Sequence, residues 1–308
     1  MPLRPATTLW PPVLLGSQFV FNIGFYAVVP FLAIFLRDDM LLSGGLIGLI
    51  LGLRTFSQQG MFIVGGALSD RFGAKIVILS GCIIRVAGYL LLALGESLWP
   101  IILGACLTGV GGALFSPSIE ALLAKAGTHS EAKGKRSRAE WFALFAVCGE
   151  LGAVLGPVAG ALLTGLGFRQ VALAGAGVFL VALVVLYFCL PASRHAARTL
   201  KLIPWWTTFR QPRFVAFIIA YSSWLLSYNQ LYLALPVEIQ RAGGNEKDLG
   251  PLFMLASVLI VALQLPLARF ARRVGAVRIL PVGFLFLSAA FASVAMFAPT
   301  APPEGWLR

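Results

Sequence analysis

The stretch Gly65–Lys75, GGALSDRFGAK, places charged side chains between two long apolar segments. Gly66 and Gly73 flank Asp70 and Arg71, and glycine is the residue that permits tight helix ends and close helix contacts. Charged residues collect in short connections when the flanking segments lie in a bilayer, because a charge inside the bilayer is costly. The stretch therefore indicates a connection between two membrane spans.

The composition also indicates a membrane protein. Of the 308 residues, 59% are hydrophobic and only 12% are charged, whereas a soluble domain carries roughly 25% charged residues. Hydropathy divides the chain into apolar segments of about 20 or more residues, the length at which an α-helix crosses a bilayer. We therefore predict an all-α polytopic membrane protein with nine spans, at 12–36, 43–68, 76–95, 98–124, 138–164, 170–190, 214–239, 249–269 and 279–298.

Lysine and arginine are distributed unevenly between the two sides of these spans. With the N-terminus inside, seventeen of the 24 basic residues fall in inner segments and five in outer segments, as the positive-inside rule requires. We expect a multi-pass protein of the plasma (inner) membrane with a cytoplasmic N-terminus. The net charge of +12 then reflects topology, and we predict no nucleic-acid partner.

The longest connection, 191–212, separates two related halves. SDRFGAKIVILSG at 69–81 and ARRVGAVRILPVG at 271–283 share a Gly-Ala pair and a final glycine, and YAVVP at 26–30 resembles YLALP at 232–236. Parallel repeats are a transporter architecture. We therefore predict a complete N-terminal six-helix bundle at 1–190, a cytoplasmic linker at 191–212 and an incomplete C-terminal bundle of about three helices at 213–308.

The connection between spans two and three carries a recognisable signature. Its order of Gly66, Asp70, Arg71, Gly73 and Lys75 resembles the loop signature of the major facilitator superfamily. Asp70 can face a neighbouring helix N-terminus, where a carboxylate is favoured. The resemblance implies a conformational-switch loop that joins the halves of a transporter and helps to control its outward and inward states.

A second signature lies in span five, in GELGAVLGPVAGALL at 149–163. Gly152, Gly156, Pro157 and Gly160 resemble the antiporter motif of proton-coupled drug exporters in the same superfamily. Glycines four residues apart form a groove that another helix can enter, and proline frees a backbone carbonyl. The alternative interpretation is small-residue packing without a transport role.

Three further stretches, at 51–60, 81–89 and 107–117, resemble the MdtH-type multidrug exporters of the superfamily. This resemblance implies proton-coupled efflux of drugs or small amphipathic molecules by alternating access. Two positions depart from the pattern. The arginine of span four would fall near Ala105, and Asn22 stands where many drug–proton antiporters place an acid.

Ionisable residues inside the predicted spans are the sharpest candidates for function, because such residues are costly and mark ion or substrate pathways. Glu150 lies near the middle of span five, beside the glycine groove, and is the first choice for a proton carrier. Glu120, five residues before Lys125, fits a structural salt bridge as well as a transport role. Arg54 and Arg85 fit coupling or bracing of the bundle.

Polar and aromatic residues of spans one and seven are candidates for the wall of a substrate cavity. They are Asn22 and Tyr26 in span one and Asn229 and Gln230 in span seven. A central cavity with aromatic surface and a few polar groups suits amphipathic drugs. The same residue types also hold membrane helices together, so both interpretations stay open.

No pattern of a catalytic or cofactor site is present. The four cysteines fall one each in four apolar segments, which is neither a zinc spacing nor a disulfide framework, and no phosphate-binding Gly-Lys-Ser/Thr loop occurs. We predict no enzyme activity, no metal and no cofactor. The expected partners are the lipid bilayer, protons and a small-molecule substrate.

The resemblance implies twelve spans, whereas nine are predicted, so the last three are expected to be missing. A frameshifted ending, a fragment or a genuine short form would each produce this pattern. Proton-coupled efflux is the leading hypothesis for function. The alternatives are a truncated, non-transporting remnant or partner-dependent fragment, and uptake of a metabolite.

Overall fold

A computed structural model describes residues 10–190, 210–241 and 249–297. In these ranges the regular structure is entirely helical, which confirms the all-α class. The helices are α1 (Trp10–Tyr26), α2 (Val29–Asp38), α3 (Gly44–Gln59), α4 (Phe62–Phe72), α5 (Ala74–Leu94), α6 (Leu98–Ala132), α7 (Arg138–Thr164), α8 (Phe168–Cys189), α9 (Pro212–Arg241), α10 (Leu249–Val274) and α11 (Ala276–Phe297).

The described ranges contain 8 helical segments that are long and apolar enough to cross a membrane. They coincide with eight of the nine predicted spans, so the polytopic character of the chain is confirmed. The remaining prediction, 214–239, lies in α9, a helix of 30 residues that is not among the 8. Its membrane crossing stays a prediction.

The first two predicted spans each consist of two helices. In 12–36, α1 ends at Tyr26 and α2 begins at Val29, with Pro30 in its first turn. Proline lacks an N–H group, so it is tolerated at a helix start and interrupts a helix interior. The segment 43–68 is likewise divided, into α3 and α4.

The chain divides into two compact units. The first comprises Met1–Ala196 with Ile260–Ala268, and the second comprises Ala197–Leu259 with Arg269–Arg308. Most of the predicted linker lies outside the described residues, and the predicted domain limits stay predictions.

One aromatic cluster joins four helices of the first unit. Phe21 of α1 stacks on Phe115 of α6 with ring centroids 4.2 Å apart, and Tyr89 of α5 stacks on Phe179 of α8 at 5.4 Å. Phe21 also meets Phe179 edge-on at 5.4 Å. Such pairs add about 0.5–1.5 kcal/mol each beyond the burial of their area, so the cluster anchors this part of the bundle.

Glycines bring α5 and α6 into backbone contact. A Cβ on Gly88 would lie 2.8 Å from the Thr108 nitrogen, and a Cβ on Gly111 would lie 2.6 Å from the Gly81 oxygen. Small residues allow membrane helices to approach this closely. The contact places Arg85, three residues before Gly88, against α6.

The two aligned Gly-Ala pairs share one backbone feature. Gly73 separates α4 from α5 with φ 88°, and Gly275 separates α10 from α11 with φ 94°. Left-handed φ values of this kind favour glycine because it has no Cβ. Each of the two Gly-Ala pairs that align in sequence therefore has its glycine at a one-residue break between two helices, with a positive φ.

Candidate functional site

The span-five signature of α7 packs against α1. A Cβ on Gly152 would lie 2.6 Å from the Phe19 oxygen and 2.7 Å from Asn22 Cβ. A Cβ on Gly156 would lie 2.6 Å from Tyr26 Cβ. Cβ atoms do not tolerate such distances, so glycine is what lets the two backbones approach. We call this contact the α1–α7 seam.

The seam continues to the end of α1. A Cβ on Gly160 would overlap the Ala27 oxygen and the ring of Phe31, where the chain passes from α1 into α2. Pro157 lies half-buried inside α7, which runs as one helix from Arg138 to Thr164. Contacts along the seam thus extend over more than two turns of α7.

Asn22 and Tyr26, the cavity candidates of span one, both lie on the seam and are half-buried. Asn22 Nδ2 donates to the Gln18 oxygen at 2.9 Å, within α1. The ring of Tyr26 meets Phe25 edge-on, with centroids 4.8 Å apart. The structure therefore brings these two residues together with Gly152 and Gly156.

Glu150 lies on α7, two residues before Gly152 of the seam, and is half-buried. Its neighbour Gly149 faces two amide groups of α1, since a Cβ there would lie 3.2 Å from Gln18 Nε2 and 3.6 Å from Asn22 Nδ2. Among the described residues Glu150 forms no ion pair. A carboxylate without a counter-charge can bind and release a proton, which is the chemistry of intramembrane proton relays.

Arg54 of α3 and Arg85 of α5 lie together in the first unit and are called the arginine pair. Arg54 is 6% exposed and Arg85 is 0% exposed. Their guanidinium carbons lie 4.3 and 5.5 Å from the centroid of the Phe25 ring, so one aromatic ring contacts both charges. Arg85 Cζ also lies 3.9 Å from the Phe21 centroid and 4.8 Å from the Phe179 centroid. Desolvated cation–π contacts contribute about 2 kcal/mol each.

The described residues use only part of the donor capacity of the arginine pair. Arg85 Nε donates to the Thr108 oxygen at 3.2 Å, and Arg54 Nη2 donates to Gln58 Oε1. Arg54 Nε and both Arg85 Nη atoms have no acceptor in the part of the chain that the structure describes. No carboxylate there forms an ion pair with either arginine. The pair is a concentrated positive charge inside an apolar bundle.

Glycines of α6 make room for this arrangement. A Cβ on Gly112 would lie 3.0 Å from Gln58 Cδ and 3.1 Å from Arg85 Nη2. A Cβ on Gly109 would overlap the Arg54 oxygen. The stretch LTGVGGALFSP therefore has a physical role beyond its resemblance, because its small residues accommodate both arginines.

Glu120 is exposed on α6. Within the described ranges it makes no ion pair with Lys125 or with the arginine pair. No contact among the described residues therefore supports the salt-bridge interpretation of Glu120. Asn229 and Gln230 lie in α9, but their side chains are outside the described part of the structure.

The loop signature spans the end of α4 and the start of α5. Asp70 and Arg71 are exposed in the last turn of α4. Gly66 faces open space, and its neighbour Gly65 makes the close contact, since a Cβ there would overlap the backbone of α6. Gly73 supplies the left-handed turn.

Lys75 binds the C-terminal end of α8. Its Nζ donates to the Tyr187 oxygen at 2.7 Å and to the Leu190 oxygen at 2.6 Å. The last carbonyls of a helix lack partners within the helix, and a cation there is also favoured by the helix dipole. Sequence reasoning missed this contact, because the partners are more than 110 positions away.

Sequence reasoning also missed the aromatic and amide neighbours of the arginine pair, which are Phe21, Phe25, Phe179 and Gln58. An aromatic residue in an apolar span does not depart from the pattern around it, so only the arginines stood out. Among the described residues no group of three or more His, Cys, Asp and Glu is arranged to hold a metal ion.

Residues 14–307 match the family model of the Major Facilitator Superfamily. The chain is 38% identical over 290 residues to an uncharacterized MFS-type transporter of Mycobacterium tuberculosis, covering 92% of this chain and 68% of that protein. It is 31% identical to the multidrug resistance protein MdtH of Aeromonas hydrophila (82% of this chain, 62% of MdtH). The MdtH of Yersinia pestis is also 31% identical (87% and 66%).

Among solved structures, the chain resembles a peptide transporter with a TM-score of 0.53 and 19% identity, covering 73% of this chain and 46% of that chain. At that identity the likeness shows the fold alone. The chain spans somewhat less than two thirds of the two MdtH proteins and about half of the peptide transporter. On the family match and these relatives, the chain belongs to the Major Facilitator Superfamily.

Proposed function

We propose that the chain acts as a secondary active transporter that exports drugs or small amphipathic molecules in exchange for protons, by alternating access. Its place would be the plasma membrane, with the N-terminus in the cytoplasm. The observation that carries the proposal is Glu150 in α7, two residues before the seam glycine Gly152, half-buried and without an ion pair among the described residues. The multidrug resistance proteins MdtH, at 31% identity, support the substrate class.

In this proposal Glu150 carries the proton. A carboxylate at the seam is neutral when protonated and charged when it has released the proton, so its state changes the cost of burying it in the bundle. The glycines of the seam let the backbones of α1 and α7 pack closely, so that the two helices can move together. Substrate binding near Asn22 and Tyr26 then competes with the proton, because both would change how α7 packs against α1.

The loop from Gly66 to Lys75 is proposed as the conformational switch. Gly73 makes the turn between α4 and α5, and Lys75 ties the start of α5 to the end of α8. A bundle held in this way can rock as one body, which alternating access requires.

The test uses the purified chain in proteoliposomes with an acidic lumen and a luminal pH dye. Amphipathic aromatic compounds of positive, neutral and negative charge are added outside, and protein-free liposomes correct for passive permeation. We expect at least one compound to release protons from wild-type vesicles. Glu150→Gln should abolish this release, whereas Glu96→Gln, which changes an exposed loop acid, should retain it.

Two results would reject the proposal. Folded wild-type protein that couples no compound to proton movement would show that this chain does not work as an exporter on its own. Full coupling in Glu150→Gln would remove Glu150 from the mechanism, and the proton carrier would then have to be sought elsewhere.

A further inference from the structure

The arginine pair carries two positive charges in the interior of a membrane bundle, and the described residues provide no negative charge for them. Arg85 is 0% exposed and Arg54 is 6% exposed. Removing an ion from water costs several kcal/mol unless its charge and its hydrogen bonds are matched. Such a cost persists in a folded protein where the group serves a ligand or a pathway.

The contacts that stabilise the pair are mostly with aromatic rings and only rarely with oxygen acceptors. Rings of Phe21, Phe25 and Phe179 contact the arginines through cation–π interactions. An aromatic ring is a much weaker acceptor for an N–H group than an oxygen atom. Arg54 Nε and both Arg85 Nη atoms are buried and have no acceptor among the described residues.

The donor geometry determines which ligand fits. A guanidinium presents parallel N–H groups in one plane, which match the two oxygens of a carboxylate or the oxygens of a phosphate. The acceptors of a neutral amphipathic molecule form weaker hydrogen bonds with a guanidinium than an ionised oxyanion does. A cation would be repelled by both arginines. The shared chemistry of a fitting ligand is therefore an oxyanion on an apolar body, because aromatic rings surround the pair.

We propose that the arginine pair is an anion-recognition site that takes the carboxylate of an aromatic, amphipathic substrate. This inference rests on the proposed function and adds the substrate's charge to it. Arg85 supplies a two-pronged contact through its Nη atoms, and Arg54 adds a further donor through Nε. Gln58 accepts a hydrogen bond from Arg54. Gln58 and Arg85 also both lie next to Gly112, so Gln58 helps to position the pair.

The experiment measures binding to the purified chain in detergent by isothermal titration calorimetry, so it does not depend on transport. The probes are 4-phenylbutyrate, its neutral amide 4-phenylbutyramide, the cation 4-phenylbutylamine, and inorganic phosphate. We expect the carboxylate to bind at least tenfold more tightly than the amide, which corresponds to about 1.4 kcal/mol. The amine should show no binding. Inorganic phosphate should bind more weakly than 4-phenylbutyrate, because it lacks the apolar body.

The variants Arg54→Lys and Arg85→Lys keep the positive charge and remove the planar fork. Each should weaken 4-phenylbutyrate binding about tenfold while leaving the amide unchanged. Arg37→Lys is the matched control, since Arg37 is exposed and pairs with Asp38 at 2.7 Å. Size-exclusion chromatography checks that each variant is folded. If a variant does not fold, the comparison of carboxylate with amide in the wild type still tests the proposal.

Equal affinity for carboxylate and amide, or unchanged carboxylate affinity in both lysine variants, would overturn the inference. Binding of inorganic phosphate as tight as that of 4-phenylbutyrate would overturn the assignment of an amphipathic carboxylate in favour of a free inorganic anion. If binding is carboxylate-selective but no compound moves protons in vesicles, the anion site stands and the exporter proposal fails. If neutral or cationic compounds are exported while the carboxylate does not bind, the exporter stands and the anion site fails.

Discussion

Lys75 and Leu190 connect two distant parts of the first unit, with Lys75 Nζ 2.6 Å from the Leu190 oxygen. Leu190 directly follows α8, and Lys75 is the second residue of α5. The same ammonium group also donates to the Tyr187 oxygen at 2.7 Å. One side chain of the loop signature thus satisfies two carbonyls at the point where the chain leaves the first six spans.

Lys75→Met should destabilise the folded protein, because it leaves two helix-terminal carbonyls without their cationic donor. Hydrogen bonds to charged groups contribute about 1.5–3 kcal/mol, and partial exposure reduces this. We expect a loss of roughly 1–2 kcal/mol, or a fall in thermal midpoint of about 2–8 °C. The midpoint is measured by thermal unfolding in detergent.

Arg71→Met is the matched control for Lys75, since Arg71 is exposed and its guanidinium lies over the adjacent Phe72 ring at 5.2 Å. The thermal midpoint of the Arg71→Met variant should change little. Equal shifts in the two variants would show that loss of loop charge, and not the contact with α8, causes the effect.

Gly156→Ala should disrupt the α1–α7 seam. The added Cβ would lie 2.6 Å from Tyr26 Cβ and 3.0 Å from the Ile23 oxygen, and neither neighbour is the end of a flexible side chain. Overpacking of this kind costs about 1–3 kcal/mol. The thermal midpoint should fall, and proton-coupled transport should be lost with it if the seam must move.

The control is Gly177→Ala on α8, where an added Cβ meets nothing within 4 Å. Alanine at an open helical position is more stable than glycine by roughly 0.5–1 kcal/mol. The two substitutions should therefore shift the midpoint in opposite directions. A fall of equal size in both would refute a specific role for the seam.

The sequence predicts the spans well and the interior poorly, for a physical reason. Long apolar segments are local features, so residues such as those of α5 and α11 can be assigned to the bilayer without knowledge of their neighbours. The division between α1 and α2 also has a local signal, Pro30, but a continuous apolar segment obscured it. Contacts such as Lys75 with Leu190 depend on helix packing, which residue spacing does not encode.

The candidate site shows the same division. Glu150, Arg54 and Arg85 were found because a charge departs from an apolar pattern. Spacing does not show that the two arginines group around Phe25. It also does not show that neither arginine forms an ion pair with Glu150 among the described residues. The proposed proton carrier and the proposed anion site therefore form no ion pair with each other in the described part of the chain.

Gly73→Ala tests the turn within the loop signature. Gly73 has φ 88° and ψ 142° and is the single residue between α4 and α5. An L-residue in such a conformation costs about 1–3 kcal/mol. We expect a lower yield of folded protein and a lower thermal midpoint. Gly66→Ala, seven positions earlier and facing open space, should fold as well as the wild type, and equal damage from both would argue against backbone strain.

Ser137→Ala removes a capping box at the start of α7. Ser137 Oγ accepts from the Glu140 nitrogen at 3.2 Å, and Glu140 Oε2 accepts from the Ser137 nitrogen at 2.9 Å. Loss of an N-cap side chain costs about 1 kcal/mol, and here both residues are buried. The thermal midpoint should fall, whereas Ser137→Thr should retain most of it, because threonine keeps a hydroxyl that can cap the helix and donate to Glu140.

Ser97 provides the control for this prediction. It occupies the N-cap position of α6 but makes no capping hydrogen bond with its side chain. Ser97→Ala should therefore leave the midpoint unchanged, although it is the same substitution at the same helix position. Because α7 carries both the seam glycines and Glu150, fraying at Ser137 should also reduce proton-coupled transport. Unchanged stability in Ser137→Ala would mean that packing of α7 against α1, and not its cap, determines where the helix begins.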